Sequence, residues 1–498
     1  MNSILNGEIS MKYFLGIDFG GGSSKATLVD EKGNLVHTAN SEYPTTYDEN
    51  GLATQRPDDW LEAALSNIKA ILSQGIDPEQ IEAVCFSAAT HTAVLLGEKE
   101  EVLCDSIYWT DTRSRKEKEE LLLRHKDEIF AKCKHLPDTI WTLPELMFLR
   151  KESPEIYARI RHILFAKDYI RHRFCPGLVT DYIEAEGSML FDFDKKEWDD
   201  GLLALAGLNQ GLMPSIKHPL SIVGTISPEA SRLSGLSTKT KVLCGSTDTA
   251  MEVLASGGVK EGDMTVKLAT AGRICLITSR PYPDKNIINY SHLDERYFYP
   301  GSGTKSCAAS LRWFRDAFGG DFASLSDSAS SIPLGADGLL FVPYLMGELT
   351  PHANPAIRGA FFGISSLHGK PHFVRALLEG VALSLLDCYR YLESRGLPLA
   401  KEAYVLGGGA KSPLWRQIVA DVLGIKLRLG AVNDSSFGDC LCAMVACGRF
   451  PSLREAVEKT QKIVEIIEPN EKNHREYEKI FARYKRLTEF IVGYYGDE

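Results

Sequence analysis

The chain has 498 residues, 44% of them hydrophobic and 24% charged, with a formal net charge of −10. It is too long for one ordinary core and long enough for two domains of roughly 200–250 residues, and the acidic balance argues against a nucleic-acid partner, which would select a basic face. No run approaches the roughly 20 apolar residues of a membrane helix, and the 11 scattered cysteines, with no CxxC pair and no HExxH motif, read as reduced thiols of a cytoplasmic protein without a zinc site.

In chain order, MNSILNGEIS lacks the basic and apolar regions of a signal peptide and reads as a tail or an artefact of start-codon choice. From Tyr13 an apolar run, a Gly/Ser turn and a second apolar run predict a β-hairpin whose tip excludes large side chains. Helical spacing follows at Trp60–Ser73, a buried strand at IEAVCFSA, a helix at Lys116–Arg124 and a strand at Lys241–Gly245. A second strand–turn–strand, MTVKLATAGRICLITS, repeats the first hairpin half a chain later and suggests a duplicated domain. Beyond it come a helix around Ala309–Phe318, the strand GLLFVPYL, a long helix His372–Glu393, the strand AYVLGGG and a helix opening at Pro413. The alternation predicts α/β domains, at 11–256 and 257–468, followed by one amphipathic helix in 469–498 that could pack back on the first domain.

Three segments have the residue types that phosphate chemistry needs. In DFGGGSSK, Gly20, Gly21 and Gly22 let the backbone approach a phosphate chain, and Ser23 adds a hydroxyl. Asp18 could hold Mg²⁺ through water and Lys25 could reach a terminal phosphate; the plainer reading is a tight turn with a serine cap. In GGGAKSPLWRQIVADVLG, Ser412 predicts an N-cap, Pro413 the first helical position and Gly424 the end, with the glycine run open to a purine or a phosphate, or else a plain connector. In GSTDTAMEVL, Thr249 and Glu252 fit a capping box, which frees Asp248 to accept a proton from a substrate hydroxyl; otherwise Asp248 is itself the cap.

Taken in order, these segments resemble the FGGY carbohydrate kinases. The resemblance also includes QRPDDW, THTAVLL, YWTDTRS, KDYIRHR, TDYIEAEG, SLRWFRD, PYLMGELTPHANPAIRGAFFG and RALLEGVALSLL, and covers about Phe14 to Gly448. It implies a two-domain actin-like ATPase (ribonuclease-H-like) fold with an inter-domain cleft, and ATP and Mg²⁺ as cofactors. It makes Asp248 the catalytic base and a possible metal contact, and Asp18 the magnesium residue. Gly20, Gly21, Gly22, Ser23, Lys25, Thr270 and Gly272 become phosphate-loop residues, and Gly408, Gly409 and Ala410 the adenosine side. Thr90 and His91 resemble part of the Met-His-Gly of xylulose kinases, and with Trp109, Asp111 and Arg113 are the implied sugar contacts, though His91 alone would read as structural and the other three as a surface salt-bridge cluster. The expected acceptor is D-xylulose, within xylose metabolism. Ribulose, glycerol, erythritol and gluconate kinases, an actin-like ATPase without a sugar substrate and a sugar-responsive regulator are the alternatives. A homodimer is one candidate for the assembly. The chain departs from the family pattern at Ala89 and Thr90, at Glu145 and Phe148, at Ala308, and at Asp439, where a small apolar residue is usual and mostly packing is expected to change.

Overall fold

The computed structural model describes residues 11–48 and 52–496, so the expectation for residues 1–10 lies outside the described residues. The chain divides into two compact units, 1–255 with 434–460, and 256–433 with 461–498.

In the first unit the predicted hairpin forms as Tyr13–Phe19 and Ser23–Asp30, extended by Leu35–Glu42. The sheet runs Leu35–Glu42, Ser23–Asp30, Tyr13–Phe19, Ile81–Ala88, Lys241–Leu243, Ile222–Thr225. Its successive pairings are antiparallel, antiparallel, parallel, parallel and antiparallel. The second unit's sheet runs Gly301–Thr304, Gly272–Leu276, Met264–Leu268, Glu402–Leu406, Lys426–Gly430, Ile463–Ile467 with the same sequence of senses, but its last edge strand follows its neighbour in the chain, whereas Ile222–Thr225 precedes Lys241–Leu243. The duplication suggested by the two hairpins thus extends to five strands of each sheet, with the edge strands Ile222–Thr225 and Ile463–Ile467 and the short strand Ser246–Thr247 outside it. Each sheet has its own core: Leu15, Ile17, Val84, Phe86 and Val242 with the helix Pro57–Leu72 in the first unit, and Val266, Ile274, Val405 and Leu427 with the helix Lys370–Ser394 in the second.

Two expectations about domain membership are corrected. Residues 434–460 belong to the first unit, because the helix Ser435–Ala446 lies directly on the strand Tyr13–Phe19. A Cβ at Gly16 would stand 2.0 Å from Ser436 O, and one at Gly438 2.3 Å from Met251 O. Only glycine permits backbones to approach so closely. The C-terminal helix Glu471–Tyr495 packs on the second unit, not the first. Tyr477, Tyr484, Leu487 and Ile491 enter that unit's core. Tyr477 Oη donates to Glu379 Oε1 at 2.8 Å, and Lys485 pairs with Asp387 at 3.0 Å.

In the second unit burial pushes the Glu348 carboxyl up to about 7, although it accepts from Thr304 Oγ1 at 2.5 Å and from the Leu349 and Lys305 amides at 2.7 and 2.9 Å. A carboxyl whose folded pKa exceeds its unfolded value of 4.5 contributes stability that is complete below pH 4.5 and lost as pH rises to about 7. Glu348→Gln is therefore expected to lose the corresponding part of the pH dependence. Between pH 4.5 and 7.5 the unfolding free energy of the parent should fall relative to the variant by roughly 3 kcal/mol. Parallel denaturant titrations at both pH values check this; a constant difference between the two proteins would show that Glu348 ionises as freely in the fold as in the unfolded chain.

Candidate active site

In both units several of the candidate residues lie at the carboxyl ends of the parallel strands, where open α/β sheets ordinarily bind ligands. In the first unit Phe19 leads to Gly20–Gly22, Ala88 to Ala89–His91, and the short strand Ser246–Thr247, which pairs with Ser87 and Ala88, leads to Asp248. In the second, Leu268 leads to the turn carrying Thr270, and Leu406 to Gly407–Ala410.

The hairpin tip is held from the protein side. Tyr43 Oη donates to Gly20 O at 2.5 Å, Gln55 Nε2 to Gly21 O at 3.1 Å, Thr45 Oγ1 also to Gly21 O, and the Tyr43 amide to Gly22 O at 3.1 Å. Gly21 and Gly22 are exposed and Ser23 is half-buried. Lys25, expected at a terminal phosphate, forms an ion pair with Asp434 at 2.5 Å.

Asp248 opens the helix Asp248–Ser256, and the cap lies two positions before the expected one. Thr247 Oγ1 accepts the Ala250 amide at 3.3 Å, whereas Thr249 donates its amide (2.6 Å) and its hydroxyl (3.2 Å) to Asp248 Oδ1. The helix start is served by Thr247, so the capping box at Thr249 is corrected, and Asp248 is still spared the role of cap.

Asp18 accepts from Ser87 Oγ at 3.0 Å, and the same hydroxyl lies 2.7 Å from Asp439 Oδ2. One hydroxyl proton cannot serve two carboxylates at once, so the pair holds an additional proton or needs a cation nearby. Burial first, and then the charges of Asp248, Asp439 and Glu252, push the Asp18 carboxyl well above the usual range; burial does the same to Asp439. Asp439 is thus more than a packing substitution. The sequence signal for it was a carboxylate within the otherwise small and apolar run SSFGDCLCAMVA. Among the described residues no cluster of three or more His, Cys, Asp or Glu forms a protein-built metal site. A carboxylate crowded by other carboxylates suits a hydrated Mg²⁺, which keeps most of its water.

His91 is buried, and Thr90 half-buried. His91 has φ +73°, a left-handed conformation that its surroundings must impose on a residue with a side chain. Asp111 is consumed within the fold: it accepts Arg113 Nε and Nη2 at 3.0 and 2.8 Å, the Arg113 amide at 2.7 Å and the Ala53 amide at 2.6 Å. At 1% exposure it holds Arg113 and the Ala53 amide in place. Arg113 also faces the Phe148 ring at 6.0 Å, and Trp109 is half-buried against Tyr108. Buried Glu145 is raised by desolvation and by Asp111, with Arg113 opposing, so it belongs to the same cluster.

In the second unit Thr270 is exposed, and Ala269 O and Thr270 O accept amides at the start of the helix Ala308–Phe318 (Ala308 at 2.8 Å, Cys307 at 3.0 Å). Gly272 is buried, its Cβ position 3.0 Å from Thr304 Cγ2. Gly409 and Ala410 are buried too; a Cβ at Gly409 would meet Trp415 at 2.9 Å and Leu268 O at 3.0 Å. Gly408 is exposed, with no atom within 4 Å of its Cβ position. Of the five residues expected to contact nucleotide here, Thr270 and Gly408 are exposed, while Gly272, Gly409 and Ala410 are buried.

The N-terminal domain model of the FGGY family of carbohydrate kinases matches residues 13–255, and the C-terminal domain model matches residues 276–447. A xylulose kinase of Lactococcus lactis is 31% identical, covering 96% of both chains, and one of Bacillus subtilis is 29% identical, covering 96% of this chain and 97% of its own. The crystal structure of gluconate kinase from Lactobacillus acidophilus superposes with a TM-score of 0.90 at 25% identity, covering 98% of this chain and all of the other. With both domain models matched over most of its length, the chain belongs to the FGGY family of carbohydrate kinases.

Proposed function

We propose that this kinase transfers the γ-phosphate of ATP to a hydroxyl of D-xylulose, giving D-xylulose 5-phosphate. The observation that carries the reading is the convergence of the Gly20–Gly22 tip, His91 and Asp248 at the ends of adjacent strands of one sheet. Phosphoryl transfer leaves little covalent chemistry to the protein, so positioning and charge neutralisation dominate. The tip glycines and Ser23 receive phosphate oxygens, and Thr270 and Gly408 are the candidate nucleotide contacts of the second unit. His91, Trp109 and Arg113 bind the sugar, and Asp248 accepts the proton of the attacking hydroxyl. Asp18 holds Mg²⁺ through water, with Asp248 as a second possible contact; the ion, when bound, neutralises charge on the phosphates.

D-xylulose is favoured by the His91 segment and by the names of the two relatives. Gluconate is the second reading, because the gluconate kinase shares the fold over the whole chain. Among the described residues no helix is long and apolar enough to cross a membrane. We place the enzyme in the cytoplasm, with a small sugar rather than nucleic acid or membrane as its partner; light scattering tests the homodimer.

A coupled ADP-release assay over D-xylulose, ribulose, gluconate, glycerol and erythritol tests the substrate. D-xylulose should give the highest kcat/KM; a value for gluconate about tenfold higher would replace it. His91→Ala should raise the sugar KM about tenfold or more while the ATP KM stays within about twofold. Equal changes in both would remove His91 from the sugar site.

A further inference from the structure

Glu184 lies in the short buried helix Tyr182–Gly187 and is 1% exposed. Its Oε1 accepts the His91 amide at 2.9 Å, and on the other side Thr142 Oγ1 donates to His91 O at 2.8 Å. Between these two bonds His91 takes its left-handed conformation. The ring is fixed as well: a Cβ on Gly187 would stand 2.3 Å from His91 Nδ1, and the Trp141 indole meets the imidazole edge-on with centroids 4.7 Å apart. The same short helix is tied to the base. Its N-cap, Asp181, accepts the Ile183 amide and Ser246 Oγ, each at 2.9 Å, and Ser246–Thr247 is the strand that runs into Asp248. Fully buried Lys167 pairs with Asp181 at 3.0 Å and with Asp168, anchoring the cap.

We propose that Glu184 is a positioning residue of the sugar site, imposing the turn at His91 so that its ring stands in fixed register with the strand that delivers Asp248. This rests on the reading of His91 as a sugar contact. A clamp that served only folding would lower stability without separating the two substrates. Glu184→Gln keeps the acceptor oxygen, and because burial raises the Glu184 carboxyl well above the usual range, the amide resembles the neutral acid. Glu184→Met keeps the bulk and removes the acceptor.

The experiment is steady-state kinetics of the full-length chain with D-xylulose and ATP varied separately, beside thermal melts. Glu184→Met should raise the sugar KM about tenfold with the ATP KM within about twofold, and Glu184→Gln should stay within about threefold of the parent for both. In a His91→Ala background Glu184→Met should add no further rise, since residues acting through one another are not additive. An unchanged sugar KM in Glu184→Met, or equal rises for sugar and ATP, would overturn the proposal. If Glu184→Met does not fold, Thr142→Val loosens the opposite side of His91 and should raise the sugar KM about threefold or more; no change there would overturn it equally. Failure of His91→Ala to alter the sugar KM would instead sink the underlying reading of His91.

Discussion

Asp248→Asn is expected to fold, to bind both substrates within a few-fold of the parent, and to lose about 10²–10⁴ in kcat, equivalent to roughly 3–5 kcal/mol. The structure explains why folding should survive. The helix Asp248–Ser256 is capped by Thr247, and the bonds that Asp248 Oδ1 accepts from Thr249 can be accepted equally by an asparagine oxygen. What the amide cannot do is take a proton from the sugar hydroxyl late in transfer. Product release could mask the loss in steady state, so single-turnover formation of sugar phosphate is the measurement that decides. Retention of more than about a tenth of the parent rate, outside the range expected for a general base, would reduce Asp248 to a bystander at the helix start.

Much of this architecture was legible in the sequence because its signals are local. Glycines between two apolar runs can only be a tight tip, and Ser412, Pro413 and Gly424 bracket a helix that forms at Pro413–Leu423, with Ser412 Oγ accepting the Trp415 amide and Gly424 at φ +65°. The site candidates came less from local signals, which left Asp248 and His91 open between a functional and a structural role, than from the resemblance of whole segments to the FGGY family. What stayed hidden was every choice made by packing at long range. The periodicity of Ser435–Ala446 shows that it is a helix with an apolar face, but not which sheet that face covers; Gly16 and Gly438 reveal it only once their neighbours are known. The same holds for the helix Glu471–Tyr495. Thr247 and Thr249 flank Asp248 symmetrically, and the spacing to Glu252 favoured the one that does not cap. Glu184 was visible only as part of a family-like segment, since nothing local shows that its carboxylate reaches an amide 93 residues away.

The glycine run before Pro413 gives the other large effect, because two adjacent glycines have opposite reasons to be glycine. A Cβ at Gly409 would press on the Trp415 ring and on the Leu268 side chain and carbonyl, all within 3.0 Å. Gly409→Ala should therefore cost stability, about 1–3 kcal/mol as for other overpacked cores, whatever the ligand. Gly408 is exposed and its Cβ would meet nothing within 4 Å, so Gly408→Val should leave the melting temperature essentially unchanged. If the nucleotide lies against this loop, the branched side chain occupies its place. The ATP KM should then rise about tenfold or more, equivalent to about 1.4 kcal/mol, while the sugar KM stays within about twofold. Melting curves and separate KM determinations on the two variants distinguish the cases. An unchanged ATP KM in a fully stable Gly408→Val would show that the loop only connects a strand to a helix, and the nucleotide contacts of the second unit would have to be sought on the Thr270 side.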